Sequence, residues 1–308
     1  MFVVCGEALM DVYVRDSTPT GLLLDARVGG SPFNVAIGLA RLDQPVQFLA
    51  GLSMDVPGER LMQSLRDEGV GTALVVRSAA PTTLSVVTVG HTGVPSYAFH
   101  GHGAADRVLD ASALPALPAE ARVLQFGSYT TVVEPVGSAL RGLAARERDR
   151  RLVTYDPNVR LNVEPDIGRW RAVVQEMAAL AHVVKVSDED LGLLHPDESP
   201  AQVAARWLDA GARLVVVTRG ATGSEAWNRR GHATAQSLLV DVIDTVGAGD
   251  TFQAALLTWL AEHDALSADG LDALDVQQMA ALLRFGARAA SITCSRRGAD
   301  MPRRDEVA

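Results

Sequence analysis

The pattern that most constrains the fold is an alternation between short apolar runs and longer amphipathic segments. The apolar runs are four to six residues long and lack a regular polar face, which is typical of strands buried on both faces of a sheet. An α/β fold with a mostly parallel central sheet and helices on both faces is therefore predicted. The predicted strands are residues 2–5, 46–50, 123–126, 152–155, 182–186 and 213–218, and the predicted helices are residues 32–42, 58–68, 135–146, 168–180 and 200–210.

Two segments, residues 11–28 and 84–100, break this alternation. Both have a period of two with turn residues inside them, which predicts antiparallel strands. We expect a small lid formed by about residues 11–28 and 84–106 on a single domain that spans residues 1–308. Residues 264–276 are predicted to be a polar loop and residues 296–308 a polar tail.

Charge and cysteine content exclude several classes of protein. The chain has 308 residues and a net charge of −9, so it has no overall attraction for nucleic acid. It has no apolar run of 18 residues and no signal-peptide pattern at its start, so no membrane association is expected. Its two cysteines cannot build a disulfide framework, and we expect a cytoplasmic protein.

The strongest chemical signal is the sequence DTVGAGDTF at residues 244–252. Gly247, Ala248 and Gly249 permit a tight turn, and the apolar helix that follows would aim its free amides and its dipole at a bound anion. Asp250 at this site would repel a passively bound phosphate, but it suits a base that takes a proton from an attacking hydroxyl. The alternative is an ordinary helix start with an acidic first turn.

A second signal is the sequence GGSPFN near the N-terminus. Gly29 and Gly30 permit unusual backbone angles, Ser31 suits an N-cap and Pro32 suits the first helical position. The amide of Asn34 would then leave the first turn of the helix, where it could bond two hydroxyls of a polyol. A capped helix start without a ligand explains the same residues.

Weaker signals follow other predicted strands. Because the carboxyl ends of parallel strands meet at one sheet edge, these residues are expected to gather there. Each is weak evidence by itself, and for Asp11 the alternative is an exposed aspartate at a strand end. They are Asp11 for sugar hydroxyls, Arg160 for an anionic or polyhydroxyl group, Asp188, Glu189 and Asp190 for waters around a metal, and Thr218, Gly220 and Gly223 for a nucleotide. No zinc-ligand spacing, G-x-S-x-G elbow, Walker A sequence or dinucleotide-binding G-x-G-x-x-G occurs.

Taken together, DTVGAGDTF and GGSPFNVAIGLARL resemble the motifs of the ribokinase family of sugar kinases, also called the phosphofructokinase-B group. The resemblance spans essentially the whole chain. The segments GEALMD, YDPNVR and KVSDEDL look most like those of bacterial fructokinases. This resemblance implies a ribokinase-like three-layer sandwich and transfer of the γ-phosphoryl group of ATP to a primary sugar hydroxyl, most simply fructose to fructose 6-phosphate.

The resemblance also assigns roles to residues, with Mg²⁺ and a monovalent cation such as K⁺ as cofactors. Asp250 would be the catalytic base beside an anion hole at Gly247, Ala248 and Gly249. The other implied groups are Asp11, Gly29, Gly30, Asn34, Tyr97, Phe99 and Arg160 around the sugar; Lys185, Ser187, Asp190, Thr218, Gly220 and Gly223 along the nucleotide; and Asp244 with the backbone near Gly298 at the monovalent cation.

One departure from the family pattern concerns the metal. The family commonly has Asn-x-x-Glu where this chain has Ser187 and Asp190. Aspartate is one methylene shorter than glutamate, so Asp190 would reach Mg²⁺ through water. Lys185, just before this segment, is the one lysine among 28 basic residues.

Two other functions remain open at this stage. A 2-keto-3-deoxygluconate kinase or another ribokinase-family kinase would share every motif and differ in its sugar pocket. A non-catalytic sugar sensor would share the scaffold but has no need of Asp250. The lid also contains the apolar residues Leu22, Leu23, Leu24 and Val28. They predict a homodimer that is formed through the lid.

Overall fold

The computed structural model describes residues 1–89 and 95–307. Its strands are β1 Phe2–Cys5, β2 Leu9–Thr18, β3 Gly21–Gly29, β4 Val46–Leu49, β5 Gly51–Ser53, β6 Val76–Ser78, β7 Leu84–Val89, β8 Pro95–His100, β9 Val123–Gly127, β10 Leu152–Asp156, β11 Val183–Ser187, β12 Leu214–Thr218, β13 Ser224–Asn228 and β14 Gly231–Ala235. Its α-helices are α1 Ser31–Arg41, α2 Val56–Asp67, α3 Val136–Glu147, α4 Ile167–Leu180, α5 Asp188–Leu194, α6 Pro200–Ala210, α7 Ala248–Glu262, α8 Ala268–Ala273 and α9 Val276–Cys294.

The central sheet has eight strands in the order β14-β13-β12-β11-β10-β9-β1-β4. All pairs from β12 to β4 are parallel, whereas β13 and β14 form an antiparallel edge. Side chains on β1 alternate between two cores, because successive strand residues point to opposite faces. Phe2 and Val4 pack with α1, α7 and α9, while Val3 and Cys5 pack with α3, α4 and α6. The predicted three-layer α/β architecture is confirmed.

A separate four-stranded sheet has the order β3-β2-β7-β8. It contains both segments that were predicted to be antiparallel, although β2 and β7 pair in parallel. Residues 101–106, which were expected to belong with it, lie beyond the end of β8. Asp106 is 3 % exposed there, and it accepts hydrogen bonds from the hydroxyls of Thr83 and Tyr129.

Two expectations for the C-terminal part were wrong. Residues 264–276 are not all loop, because helix α8 begins after the N-cap Ser267 and buries Leu271. The tail at 296–308 is not free, because Met301 and Val307 are buried against the domain. Single apolar side chains in a polar stretch anchor both segments, and they are too few to form a periodic pattern. In the part of the chain that the structure describes, no helix has the length and apolarity needed to cross a membrane.

Candidate active site

A cavity of about 670 Å³ lies where the carboxyl ends of the parallel strands face the four-stranded sheet. Ligands of parallel α/β sheets bind at this edge because the strand-to-helix loops converge there. The cavity brings together most residues that the sequence singled out. They are Asp11, Gly30, Asn34, Phe99, Arg160, Lys185, Ser187, Asp190, Thr218, Gly220, Gly247, Gly249 and Asp250.

One wall of the cavity is the N-terminus of α7. Gly247 is its N-cap, with φ 78°, and no side chain caps the helix. A Cβ at Gly247 would lie 2.6 Å from the Cβ of Ala299, so space as well as backbone angle requires glycine. The amides of the first turn have no acceptor within the helix, and the helix dipole adds positive potential. The segment is therefore built to receive an anion.

Asp250 lies in the first turn of α7 and is only 9 % exposed. Its carboxylate accepts hydrogen bonds from Ser31 Oγ at 2.7 Å and from Asn34 Nδ2 at 2.8 Å. Burial raises the pKa of Asp250, whereas these two hydrogen bonds and the charge of Lys185 lower it. The result is a fixed carboxylate with a pKa above that of ordinary aspartate.

The start of α1 differs from the sequence prediction. Ser31 is not the N-cap but the first helical residue, and its hydroxyl donates to Asp250. The N-cap is Gly30, whose φ is 108°, and a Cβ there would lie 2.9 Å from the carbonyl oxygen of Glu7. The amide nitrogen of Asn34 also bonds Asp250. The motif at residues 29–34 and the motif at residues 244–252 are therefore joined by hydrogen bonds, although the bonded residues are 216 and 219 positions apart in the sequence.

Replacing Ser31 tests this unit. Because its hydroxyl bonds the charged form of Asp250, Ser31→Ala should raise the pKa of that carboxyl. The acid limb of kcat/KM should move to higher pH by up to about one unit, since a charge-assisted hydrogen bond is worth roughly that amount. Ser17→Ala, on the exposed end of β2, is the control. An unchanged pH profile for Ser31→Ala would contradict the arrangement.

Asp11 lies on β2 across the cavity from α7. Burial raises the pKa of its carboxyl, while the nearby hydroxyl of Ser85 and the charge of Arg160 lower it. A Cβ on Gly29 would lie 2.5 Å from Asp11 Oδ2, so this glycine makes room for the carboxylate. Arg160 donates to the carbonyl oxygen of Val159 at 2.9 Å, which turns the guanidinium back on its own loop.

The aromatic residues expected at this wall are only partly described. Phe99 lines the cavity and packs edge-on against Tyr129, with ring centroids 6.2 Å apart. Tyr97 lies opposite Val87 in the pairing of β7 and β8, but its side chain falls outside the described part of the chain.

A second cavity of about 300 Å³ adjoins the first and extends towards α9. Thr218, Gly220, Thr245 and Gly249 line both cavities, so the two are continuous. Gly223 lines the second one with φ 106°, and a Cβ there would lie 2.2 Å from the carbonyl oxygen of Ala235. The sides of this cavity are largely apolar, as in pockets that hold a flat organic ring. They include Leu238, Val240, Val242, Phe252, Ala287 and Ala290.

Local hydrogen bonds fix Ser187 and Asp190, the two residues that depart from the family pattern. Ser187 is the N-cap of α5 and accepts from the amide of Asp190 at 3.0 Å. Asp190 Oδ1 accepts from the amide of Val159 at 3.2 Å. Burial, and then the charge of Asp156, raise the pKa of Asp190 to about 6. No cluster of three or more histidine, cysteine, aspartate or glutamate side chains suited to a metal occurs within residues 1–89 and 95–307.

Asp244, the residue implied for a monovalent cation, holds two loops together. Its Oδ1 accepts from the amide of Val246 at 3.1 Å, and its Oδ2 accepts from the amide of Gly298 at 2.9 Å. Gly298 has φ 71°, which favours glycine. These bonds bring Asp244 and Gly298 together.

Sequence reasoning did not single out Glu7, which also lines the cavity and is 1 % exposed. Its Oε2 accepts from the hydroxyl of Thr130 at 3.0 Å. Burial raises the pKa of Glu7 from an ordinary 4.5 to about 7, and nearby Asp106 adds to the effect. A glutamate two residues after a buried strand was the available signal, and its burial could not be predicted without the fold.

The raised pKa of Glu7 makes the stability of the protein depend on pH. The folded state favours the protonated form, so this contribution is fully present below pH 4.5 and is lost as the pH rises through about 7. Glu7→Gln is neutral at every pH. Its free energy of unfolding relative to the unsubstituted chain should therefore rise by about 2 kcal/mol between pH 5 and pH 8. Denaturant unfolding measures this, with exposed Glu120→Gln as the control, and a difference independent of pH would contradict the assignment.

Comparison with known proteins agrees with the fold. A family profile described as pfkB family carbohydrate kinase matches residues 1–305, and the chain belongs to that family. It is 36 % identical to a fructokinase from Rhizobium leguminosarum bv. trifolii over 91 % of this chain and 85 % of the relative.

Two solved structures illustrate the likeness. A fructokinase from Xylella fastidiosa with bound ATP superposes with a TM-score of 0.89 at 28 % identity, and the match covers 99 % of this chain and 96 % of that one. A fructokinase double mutant from Vibrio cholerae O395, with fructose, ADP and potassium ion bound, has a TM-score of 0.81 at 25 % identity, with 97 % and 93 % of the two chains covered.

Proposed function

We propose that this protein is an ATP-dependent fructokinase that converts fructose to fructose 6-phosphate. The observation that carries the proposal is the placement of Asp250. A buried carboxylate, fixed by Ser31 and Asn34, lies at an uncapped helix N-terminus inside a cavity whose opposite wall carries Asp11. A passive anion site gains nothing from such a carboxylate, whereas a kinase needs a base beside the phosphoryl group.

In this proposal the sugar lies between the four-stranded sheet and α1. Asp11 accepts hydrogen bonds from sugar hydroxyls, and Asn34 and the Gly29–Gly30 turn form the floor below them. Arg160 and Phe99 complete the pocket. One primary hydroxyl then faces Asp250, which takes its proton as the hydroxyl attacks.

The nucleotide occupies the continuous second cavity. Its base lies among the apolar side chains beside Gly223, and its phosphates run past Thr218 and Gly220 towards α7. The amides around Gly247, Ala248 and Gly249 stabilise the charge that develops on the transferred group. Backbone donors explain how a chain with net charge −9 receives a polyanion.

The described residues fit Mg²⁺ only as an ion that is carried by the nucleotide. Mg²⁺ usually keeps several waters and takes one or two protein carboxylates plus substrate phosphates, and Asp190 is the carboxylate at that position. When bound, the ion neutralises phosphate charge. For a monovalent cation such as K⁺, Asp244 and the backbone near Gly298, which a hydrogen bond brings together, would supply oxygen ligands. The Vibrio cholerae fructokinase structure also contains a potassium ion, which supports a monovalent cation in this proposal.

We assign the four-stranded sheet the role of a lid, which would exclude water and suppress hydrolysis of ATP.

The edge strand of this sheet, β3, exposes Leu22, Leu23 and Leu24 by 60 %, 55 % and 56 %. Three adjacent exposed leucines on an edge strand favour pairing with a second copy. Val28, which was expected to join them, is half-buried against the core instead. Sedimentation velocity tests this homodimer, and a monomer at micromolar concentration would contradict it.

Substrate choice is tested by coupled ADP release over fructose, tagatose, ribose, 2-keto-3-deoxygluconate and adenosine. The proposal predicts the highest kcat/KM for fructose. A higher value for another member of the panel would support the kinase function and overturn the fructose assignment.

We also propose a cytoplasmic location, since ATP and reduced Cys5 and Cys294 suit that compartment. Fractionation of the source cells tests it.

A further inference from the structure

The proposed roles leave one buried carboxyl of the 670 Å³ cavity unused, that of Glu7. Glu7 lies two residues after β1 and is only 1 % exposed, yet it lines the cavity together with Asp11 and Asp250. Its Oε2 accepts a hydrogen bond from the Thr130 hydroxyl at 3.0 Å, and the hydroxyl of Ser128 lies nearby. Because a carboxyl has two oxygens, the bond from Thr130 leaves Glu7 Oε1 for a further partner.

Close packing fixes the place of Glu7 in the cavity. A Cβ on Gly30 would lie 2.9 Å from the carbonyl oxygen of Glu7. A Cβ on Gly6 would lie 2.3 Å from Pro32 Cγ and 3.1 Å from Thr130 Oγ1. The segment that carries Glu7 is therefore held between the start of α1 and the residues that follow β9. Its backbone lies against the glycine turn that we assign to the floor of the sugar pocket.

The surroundings of Glu7 favour a neutral carboxyl. The titratable groups that face it are Asp106 and Tyr129, and the Tyr129 hydroxyl donates to Asp106 at 2.7 Å. The nearby cation, Arg107, lies 3.9 Å from Asp106 and over the ring of Tyr129, and no ion pair to Glu7 occurs among the described residues. A buried carboxylate without a cationic partner is costly, so burial, with a contribution from Asp106, raises the pKa of Glu7 to about 7.

A neutral carboxyl offers the sugar something that Asp11 cannot. An ionised carboxylate only accepts hydrogen bonds, whereas a neutral carboxyl also has an O–H that donates. Since Thr130 donates to Oε2 of Glu7, the proton of the neutral form suits Oε1. The cavity then presents an acceptor at Asp11 and a donor at Glu7. Such a site rejects an analogue that lacks the matching hydroxyl, because a buried polar group is left unpaired.

We infer that Glu7 is a specificity-determining residue of the sugar pocket, and that its neutral carboxyl donates a hydrogen bond to a sugar hydroxyl other than the one that is phosphorylated. This inference rests on the proposed kinase function and adds a second carboxyl to the groups that select the sugar. The competing explanation is structural, namely that Glu7 only joins the end of β1 to the segment after β9 through Thr130.

The test compares Glu7→Gln and Glu7→Ala with a matched control, Thr83→Val. Glutamine keeps the shape of the neutral carboxyl and a donor, whereas alanine removes both. Thr83 is fully buried and donates to Asp106 at 2.6 Å, but within the described residues it does not line the cavity. Its replacement therefore disturbs the same polar cluster away from the sugar. Thermal unfolding reports the folding of each variant.

Calorimetric titration with fructose gives the dissociation constant, Kd. At pH 6 the Kd should rise at least about tenfold in Glu7→Ala and stay within about threefold in Glu7→Gln and Thr83→Val. Equal losses of affinity in Glu7→Ala and Thr83→Val, or a Kd for Glu7→Ala within threefold of the unsubstituted chain, would overturn the inference.

The pH dependence of fructose binding tests the donor without relying on the alanine variant. Between pH 6 and pH 8 the Kd of the unsubstituted chain should rise about tenfold, because Glu7 loses its donor as it ionises at about pH 7. The Kd of Glu7→Gln should change less than twofold over the same range, since an amide does not titrate. Parallel pH profiles for the two chains would overturn the inference.

Sugar analogues identify the partner hydroxyl. They are 1-deoxyfructose, 2,5-anhydromannitol, 3-deoxyfructose and 4-deoxyfructose, each of which lacks one hydroxyl that is not phosphorylated. For one of them, Glu7→Ala and the unsubstituted chain should bind with equal Kd, because the partner of Glu7 is already absent. A difference of tenfold or more that persists with all four analogues would overturn the inference.

These titrations need no phosphoryl transfer, so they separate this inference from the proposed function. If fructose binds with the expected dependence on Glu7 but no sugar leads to ADP release, the kinase function fails and the role of Glu7 stands. If ADP is released with fructose but the Kd does not respond to Glu7 or to pH, the kinase function stands and the role of Glu7 fails. Absence of fructose binding to the unsubstituted chain would overturn the inference as well.

Discussion

Asp250→Asn should reduce kcat for sugar phosphorylation by about 10²–10⁴-fold, which is the usual contribution of a positioned general base. The substitution preserves shape and leaves an amide oxygen for one of the two donors, Ser31 and Asn34. It removes the group that accepts the proton of the hydroxyl. Nucleotide affinity should stay the same or rise, because a negative charge beside the phosphates is lost. Steady-state kinetics and calorimetric titration with ADP measure the two effects.

Asp264→Asn is the matched control for this variant. Asp264 follows the other end of α7, is exposed and has φ 54°, a conformation that asparagine adopts readily. Its kcat should equal that of the unsubstituted chain. Turnover of Asp250→Asn within tenfold of that value would show that the proton leaves by another route, and Asp250 would not be the base.

Asp11→Ala should raise the KM for the sugar by about 100-fold and change the affinity for ATP by less than about threefold. The carboxylate lies on β2, on the cavity wall that faces α7, with Ser85 and Arg160 beside it. A charge-assisted hydrogen bond to a ligand is worth about 1.5–3 kcal/mol, and a carboxylate that bonds two hydroxyls makes two such bonds. Initial rates at varied sugar and varied ATP separate the two constants.

The control for Asp11 is Asp16→Ala on the same strand. Asp16 is exposed and lies past the point where β2 leaves the cavity, so neither constant should change. Equal losses of sugar and nucleotide affinity in Asp11→Ala would remove Asp11 from the sugar pocket. They would point instead to a general disturbance of β2.

The sequence predicts the parallel strands of the central sheet well, because these strands are buried on both faces. Runs such as residues 123–126 and 152–155 are apolar because both faces are covered, and this pattern is visible without contacts. Glycines that must be glycine are likewise visible, as at Gly247 and Gly223, where added Cβ atoms would meet backbone or side-chain atoms.

The parts that the sequence did not predict depend on partners that are distant in the chain. The sequence predicts that Ser31 is a helix N-cap, because its partner Asp250, whose carboxylate lies 2.7 Å from the Ser31 hydroxyl, is distant in the chain. Burial of Glu7 and of Met301 depends on packing from other segments, so neither has a periodic signal. Helix α8 is only six residues long and is stabilised by its N-cap and one buried leucine, Leu271, which explains its appearance as loop.

The most direct test of the central claim follows the fate of the phosphoryl group itself. Fructose labelled with ¹³C at C1 and C6 is incubated with ATP and Mg²⁺, and the products are read by ¹³C and ³¹P NMR. We expect one phosphate ester, at C6, formed in equal amount to ADP by the unsubstituted chain and formed at least about 100-fold more slowly with Asp250→Asn. An ester at C1, or ADP formed without any sugar phosphate, would contradict this expectation.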